Sequence, residues 1–180
     1  MGIEDNELIE AYKKSELISV IVNRLLKESL DIKSISDQLV ELHNSNKINI
    51  VEIFLELKNG SKGTNFFLMC NIFEEALPKI EASVEEVMEC VLHLTKEAEN
   101  NIMANSPSSF IEFISAKPNR ISESRDLLLS EPHKWSDFLV SIIVVGSKKH
   151  LKEYVSLALD LIDHEVPEVA RNAIFSLGKK

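Results

Sequence analysis

The chain has 180 residues, of which 44% are hydrophobic and 27% are charged, and its formal net charge at pH 7 is −9. This composition excludes collagen-like, disordered and disulfide-scaffold proteins, and a chain of this length buries roughly 70% of its unfolded surface on folding. Five Gly and five Pro are fewer than a turn-rich all-β fold uses.

The negative charge is concentrated in the first two-thirds of the chain. Residues 1–117 carry 20 acidic and 11 basic side chains, whereas residues 118–180 carry nine of each. Proteins that bind nucleic acids cluster Lys and Arg to neutralise phosphates, but the basic runs here are three separate Lys pairs. We therefore predict that the protein does not bind nucleic acid.

Targeting signals and cysteines indicate a cytoplasmic protein. The first ten residues are acidic and lack the apolar core of a signal peptide. The apolar stretch 138–145 is interrupted by Ser141 and is too short to span a membrane. Cys70 and Cys90 lie in apolar helical contexts, so we interpret them as reduced thiols of the core.

Apolar residues recur at three- and four-residue spacing along most of the chain, which is the pattern of amphipathic helices. A first short helix around Leu8 and Tyr12 is either separate from the next helix or continuous with it, and Ser15 is the candidate N-cap of that next helix. Ser34 or Ser36 is the candidate N-cap of the third. The apolar stripes of the second, third and fourth predicted helices are, in order, Leu17, Val20, Ile21 and Leu25; Ile35, Leu39 and Leu42; and Ile50, Val51, Phe54, Leu55 and Leu57.

Residues 58–63 are the clearest loop, because two of these six residues are glycine. A strongly apolar helix is predicted after the loop, from Phe66 to about Pro78. Ser83 and Glu86 have the spacing of a capping box, which predicts a long helix from there to about Met103.

Five helices are predicted in the remainder, over residues 107–116, 119–129, 134–145, 148–162 and 167–177. Gly146 is expected to end the third of them. Connections of two to six residues place successive helices side by side and antiparallel. We therefore predict an all-α fold.

The chain resembles itself at an offset of 32 residues. Each of the two copies has an acidic turn, an apolar helix and a terminal glycine. The matched pairs are Leu129 with Leu161, Glu131 with Asp163, Ile142 with Ile174, Val145 with Leu177, and Gly146 with Gly178.

The second copy resembles the second half of a HEAT-like repeat. Its segment 163–169, with the sequence DHEVPEV, is followed by Ala173 and by the pair Leu177-Gly178. In that family an acidic turn leads to a Pro in the first helical turn, and a small residue lies where two helices cross. Pro167 presets the first turn, Ala173 permits close approach, and Gly178 accepts a left-handed cap.

The resemblance is strongest over residues 151–178, weaker over 127–146 and absent before Asn119. It departs from the family at Ala170, since the family places Arg directly after the Val and Arg171 comes one position later. The resemblance implies a HEAT-like α-solenoid, which is an irregular stack of antiparallel helical hairpins.

We expect one helical domain, or an acidic helical part (1–117) followed by HEAT-like repeats (118–180). The terminal repeat of a solenoid needs a polar outer face, yet nothing in the chain would stack on Ile174, Phe175 and Leu177. We therefore expect the sequence to be a fragment of a longer chain.

No group of residues has the spacing of a catalytic or metal site. Glu89, His93 and Glu97 share one helix face, but no second helix carries a matching ligand pattern, and we interpret this face as solvated. The two cysteines do not supply the paired spacing that zinc needs, and the loop 60–63 is too short for a phosphate loop. We predict no enzymatic activity, no metal and no cofactor.

The most distinctive short segment is EPHKW, which ends at Trp135. This Trp is either a partly exposed anchor for a partner or a side chain that folds back onto the neighbouring repeat. His133 and Lys134 would surround such an anchor, and Arg120 and Arg125 would extend the same surface, although solvated helix faces explain these cations equally well. These five residues form the predicted partner-binding site.

The predicted function is a non-enzymatic protein–protein interaction, as a scaffold or recognition module of a larger bacterial protein that binds a basic segment of its partner. One alternative is a small acidic protein of the immunity or antitoxin type, which requires Lys180 to be the native end. A less favoured alternative is a HEAT-like DNA-repair glycosylase, in which Asp137 or Asp163 would be the carboxylate beside the flipped base.

Overall fold

The structure is a computed structural model that describes residues 3–28, 31–60, 65–98 and 106–179. All regular elements within these ranges are helical, which confirms the all-α prediction. None of the described helices combines the length and the apolar character that a membrane span requires. The helices are α1 (Asp5–Lys13), α2 (Leu17–Glu28), α3 (Ile32–Asn44), α4 (Ile50–Leu55), α5 (Phe66–Ala76), α6 (Val84–Glu97), α7 (Ser106–Ala116), α8 (Pro118–Ser130), α9 (Pro132–Trp135), α10 (Leu139–Leu161) and α11 (Pro167–Leu177), with 3-10 turns over Leu77–Lys79 and Ser136–Phe138.

The chain divides into two compact units, Met1–Ser109 and Phe110–Lys180. In the first unit, α3 packs against α5 and α4 packs against α6. The rings of Phe54 and Phe73 meet in its core, with centroids 4.8 Å apart. In the second unit, α10 packs against α8 and α11. Each unit therefore buries an apolar core of its own.

The start of α3 differs from the sequence prediction. Asp31 is its N-cap, because the carboxylate accepts a hydrogen bond from the backbone N–H of Ser34 at 3.1 Å. The prediction that Ser34 or Ser36 caps this helix is wrong. Ser36 is instead buried in the core, where its hydroxyl donates to the carbonyl oxygen of Ile72 at 3.3 Å.

The predicted capping box at the start of α6 is confirmed. Oγ of Ser83 accepts a hydrogen bond from the backbone N–H of Glu86 at 3.2 Å, and the Glu86 carboxylate accepts from the backbone N–H of Ser83 at 3.0 Å. These bonds satisfy two donors that a helix start otherwise leaves without a partner. The helix ends at Glu97 with Ala98 as its C-cap, so the prediction that it extends to about Met103 is wrong. Met103 itself and positions 61–63 of the predicted loop lie outside the described residues.

A left-handed residue separates α1 from α2. Ser15 has a φ of 57°, and the backbone N–H of Glu16 donates to the carbonyl oxygen of Ala11 at 2.8 Å. This is the hydrogen-bond pattern of a Schellman motif, which satisfies carbonyl groups at a helix end. Ser15 therefore terminates α1, and its predicted role as the N-cap of the next helix is wrong because α2 begins two residues later, at Leu17.

The predicted helix end at Gly146 is wrong. Helix α10 continues past this residue and is interrupted at His150, whose φ of −134° and ψ of 57° are not helical. A Cβ atom on Gly146 would overlap the ring of Tyr154. Glycine is thus required at this position because the Tyr154 ring, which follows the interruption at His150, lies close to its backbone. It is not required for a left-handed cap.

Gly178 does not adopt the left-handed conformation that the HEAT-like pattern implies. Its φ is −84°, and an added Cβ would make only an ordinary contact, 3.6 Å from the carbonyl oxygen of Phe175. The expectation of a left-handed cap at this position is therefore wrong. The predicted exposure of Ile174, Phe175 and Leu177 is confirmed.

Candidate functional site

Trp135 is not a surface anchor, because its side chain is completely buried. Its ring packs against that of Phe138, with centroids 6.2 Å apart. The Nζ of Lys134 lies 4.2 Å from the centroid of the indole. The prediction of a partly exposed anchor is wrong for this residue, which is part of the core of the second unit.

Arg120 is also a structural residue. It is only 4% exposed, and its Nη1 donates to the carbonyl oxygen of Phe113 at 3.0 Å. Its guanidinium carbon lies 3.8 Å from the centroid of the Phe113 ring. The guanidinium thus joins the start of α8 to the end of α7, and the prediction that it contributes to a partner surface is wrong.

The other three predicted site residues lie closer to solvent. Arg125 is partly buried and is paired with Asp126, at 2.9 Å, and with Glu153. Its hydrogen bond to Asp126 and the charges nearby raise the pKa of the Arg125 guanidinium. His133 and Lys134 are exposed. With Trp135 and Arg120 inside the unit, the five predicted residues do not form one exposed surface.

The carboxylates nominated for a glycosylase, Asp137 and Asp163, are both exposed. Desolvation, followed by the nearby charge of Glu168, raises the pKa of the Asp137 carboxylate.

The residues of α6 that resemble metal ligands bind the backbone that follows α4. Nε2 of His93 lies 2.7 Å from the carbonyl oxygen of Leu57, to which it donates. The Glu97 carboxylate accepts from the backbone N–H of Asn59 at 3.1 Å. Within the described ranges, no three His, Cys, Asp or Glu side chains are arranged to hold a metal ion.

Both cysteines are buried and free, as predicted. Burial raises the pKa of the Cys70 thiol to about 12, and burial raises that of Cys90 further. A nucleophilic cysteine needs a thiolate at neutral pH, so neither thiol is suited to covalent catalysis.

A cleft in the first unit combines carboxylates with an apolar wall. It has a volume of about 400 Å³ and lies where α1 and α2 meet α4. We call it the acidic cleft. The residues that define it here are Tyr12 and Lys13, Leu17 and Ile18, and Glu52, Ile53 and Glu56.

The charge of the acidic cleft is incompletely neutralised. Tyr12 donates its hydroxyl to Oε2 of Glu52 at 3.1 Å, and desolvation together with this carboxylate raises the pKa of Tyr12. Lys13 is instead paired with Glu10, at 2.8 Å. No cation among the described residues forms an ion pair with Glu52 or Glu56, although two like charges four residues apart repel each other.

A histidine side chain forms a hydrogen bond with the backbone near each end of α4, the helix that carries Glu52. At its start, Nδ1 of His43 accepts from the backbone N–H of Ile50 at 3.4 Å, and Nε2 of the same ring donates to the carbonyl oxygen of Glu81 at 3.2 Å. Beyond its end, His93 holds the carbonyl of Leu57. A six-residue helix is too short to be stable alone, so these contacts and core packing determine its position.

Sequence reasoning missed the acidic cleft because its residues come from three helices. The available signal was the pair Glu52 and Glu56, which repeats a negative charge at four-residue spacing with no basic residue between them. Only the fold shows that Tyr12 and the wall of α2 adjoin that pair.

Comparisons with known proteins find no counterpart, since no family model, curated protein or solved structure matches the chain. The HEAT-like resemblance of residues 119–178 therefore stays a prediction.

Proposed function

We propose that the protein is a protein-interaction module that binds a basic segment of a partner protein in the acidic cleft. The observation that supports this proposal is the pair Glu52 and Glu56, which lies beside an apolar wall and forms no ion pair with a described cation, since Lys13 of the same cleft is paired with Glu10.

A Lys or Arg side chain fits both parts of the cleft. Its aliphatic stem favours apolar surface, here Leu17, Ile18 and Ile53, while its cationic head favours a carboxylate. Hydrogen bonds between a cation and a carboxylate are about twice as strong as bonds between neutral groups. Binding would also relieve the repulsion between the two glutamates.

The charge of the whole first unit supports the same kind of partner. Residues 1–109 carry 19 acidic and 10 basic side chains, whereas residues 110–180 carry 10 of each. A surplus of one sign attracts an oppositely charged partner and raises the association rate, and salt weakens this effect. The proposed complex should therefore form faster at low ionic strength.

The architecture that we propose for the chain is an irregular HEAT-like stack of helical hairpins. Helices α10 and α11 are joined by a short connection and pack against each other, as expected of one hairpin in such a stack. Helical stacks present extended surfaces that suit protein and peptide binding.

The test is a binding measurement with fluorescently labelled peptides in which Lys or Arg alternates with Leu. Anisotropy titrations compare the wild-type chain with the double variant Glu52→Gln/Glu56→Gln. The matched control is Glu41→Gln/Glu85→Gln, which removes two charges from exposed positions outside the acidic cleft. We expect the cleft variant to lose about tenfold in affinity, equal to about 1.4 kcal/mol, and the control to lose less than about twofold.

Equal losses in the two variants would refute the acidic cleft as the binding site, because net charge alone would then explain the affinity. Absence of any binding at low salt would refute the preference for a basic segment.

A further inference from the structure

We infer that the hairpin formed by residues 151–161 and α11 is an interface through which two copies of this chain associate antiparallel, as a symmetric dimer. This inference concerns a surface of the second unit and goes beyond the function proposed for the acidic cleft. It rests on an exposed apolar face and on the charges at the two ends of that face.

The apolar face has members on both helices of the hairpin. On α11 the buried side consists of Val169, Ala173 and Ser176. Ile174 and Leu177 follow one another on a different flank of the helix and are 60% and 40% exposed. Because these two side chains are exposed, this flank faces away from the buried side of the helix.

The neighbouring helix carries an exposed apolar stripe of its own. Leu151, Val155 and Leu159 recur at four-residue spacing and therefore form one stripe. Leu151 and Leu159 are 61% and 50% exposed, whereas Tyr154 and Ala158 beside them are buried. We call the stripe, together with Ile174 and Leu177, the hairpin face.

Charges of opposite sign lie at the two ends of the hairpin face. Lys148, Lys149 and Lys152 are exposed where residues 151–161 begin. Asp163 and Glu165 are exposed in the connection at the other end. None of these five residues forms an ion pair with another described residue.

This distribution of charge favours a second copy of the chain as the binding partner of the hairpin face, and it favours an antiparallel orientation of the two copies. A two-fold axis perpendicular to the helices places the basic end of one copy against the acidic end of the other, twice in each dimer. A parallel arrangement would instead bring like charges together. Symmetric dimers use the same patch on both copies, and the hairpin face complements itself only in the antiparallel arrangement.

The size of the face predicts a weak dimer. Eleven residues of helix extend about 16 Å, and two adjacent helices are together about 20 Å wide. The contact is thus smaller than a standard stable interface, and we expect a dissociation constant on the order of tens of micromolar.

The test is sedimentation equilibrium of the full chain over a range of concentrations up to the millimolar level. We expect a reversible transition from 20.3 kDa to twice that mass. Ile174→Glu should raise the dissociation constant at least about tenfold, since it places a charge in the apolar centre. The matched control is Phe175→Glu, on the same helix but next to Lys179, and it should change the constant less than about twofold.

Charge reversal tests the orientation. Lys152→Glu and Asp163→Lys should each weaken the dimer about fivefold, whereas the double reversal should restore it to within about twofold. A merely structural role for either residue would not produce this recovery.

A chain that stays at 20.3 kDa at every concentration would overturn the inference, including the case in which the hairpin face binds a different protein. A dimer that tolerates Ile174→Glu would also overturn it, and a double reversal that remains weak would refute the antiparallel arrangement. Binding of basic peptides to the acidic cleft is measured separately and is unaffected by these outcomes.

Discussion

Replacing Gly146 by Ala should destabilise the protein, although Ala is the better helix former. The residue lies within α10, where Ala is favoured over Gly by up to about 1 kcal/mol. The added Cβ would lie well inside 3.0 Å of three ring carbons of Tyr154, and this ring is buried. Either the ring or the kink at His150 must move to relieve the overlap.

The expected net loss is about 2 kcal/mol of the free energy of unfolding. Overpacking of a buried site costs typically about 1–3 kcal/mol, and an overlap with a rigid aromatic ring belongs at the upper end. The gain in helix propensity offsets about 1 kcal/mol. For a chain of this size the midpoint of thermal unfolding should fall by about 4–8 °C.

Thermal unfolding followed by circular dichroism measures this loss, with Gly178→Ala as the control. At the control position the added Cβ makes an ordinary contact and φ is negative, so we expect no loss of stability. The combination of Gly146→Ala with Tyr154→Leu should cost less than the sum of the two single substitutions, because the smaller side chain leaves room for the Cβ. An unchanged midpoint in Gly146→Ala, or strict additivity in the double variant, would refute the close approach as the reason for this glycine.

Two further predictions concern the first unit. Asp31→Ala should lower the free energy of unfolding by about 1 kcal/mol because it removes the N-cap of α3, and Ser34→Ala should leave it unchanged; chemical denaturation that shows the reverse order would restore Ser34 as the cap. Cys70 and Cys90 should resist a thiol reagent at neutral pH in the folded protein and react together on unfolding, since burial raises the pKa of both thiols. Rapid labelling of the native chain would contradict their placement in the core.

Helix positions follow from sequence where the determining interactions are local. The spacing of apolar residues predicts α5 and the start of α6 closely, and the capping box of Ser83 and Glu86 acts within one helical turn. The sequence does not single out the N-cap of α3, because Ser, Asp and Asn are similarly suited to that position. Asp31 is the N-cap because its backbone is extended and its carboxylate accepts from the N–H of Ser34.

Long-range packing determined the features that the sequence did not reveal. The sequence predicts a helix end at Gly146, since glycine commonly follows the last helical residue. Its role depends instead on the ring of Tyr154, eight residues later. The sequence leaves Trp135 open between an exposed anchor and a side chain folded back onto the neighbouring repeat, and it predicts an exposed Arg120 because an Arg on a polar helix is often exposed. Their burial depends on Phe138 and Phe113.

The two histidines at the ends of α4 have a consequence for the entropy of binding. Hydrogen bonds between the two histidine side chains and the backbone at Ile50 and Leu57 keep the backbone that carries Glu52 and Glu56 in a defined position before any ligand arrives. A receptor that is ordered in advance spends little free energy on immobilising its own groups. In the complex that we propose, selection among basic segments would depend mainly on how much ordering the ligand itself must undergo, which favours short segments already constrained in shape.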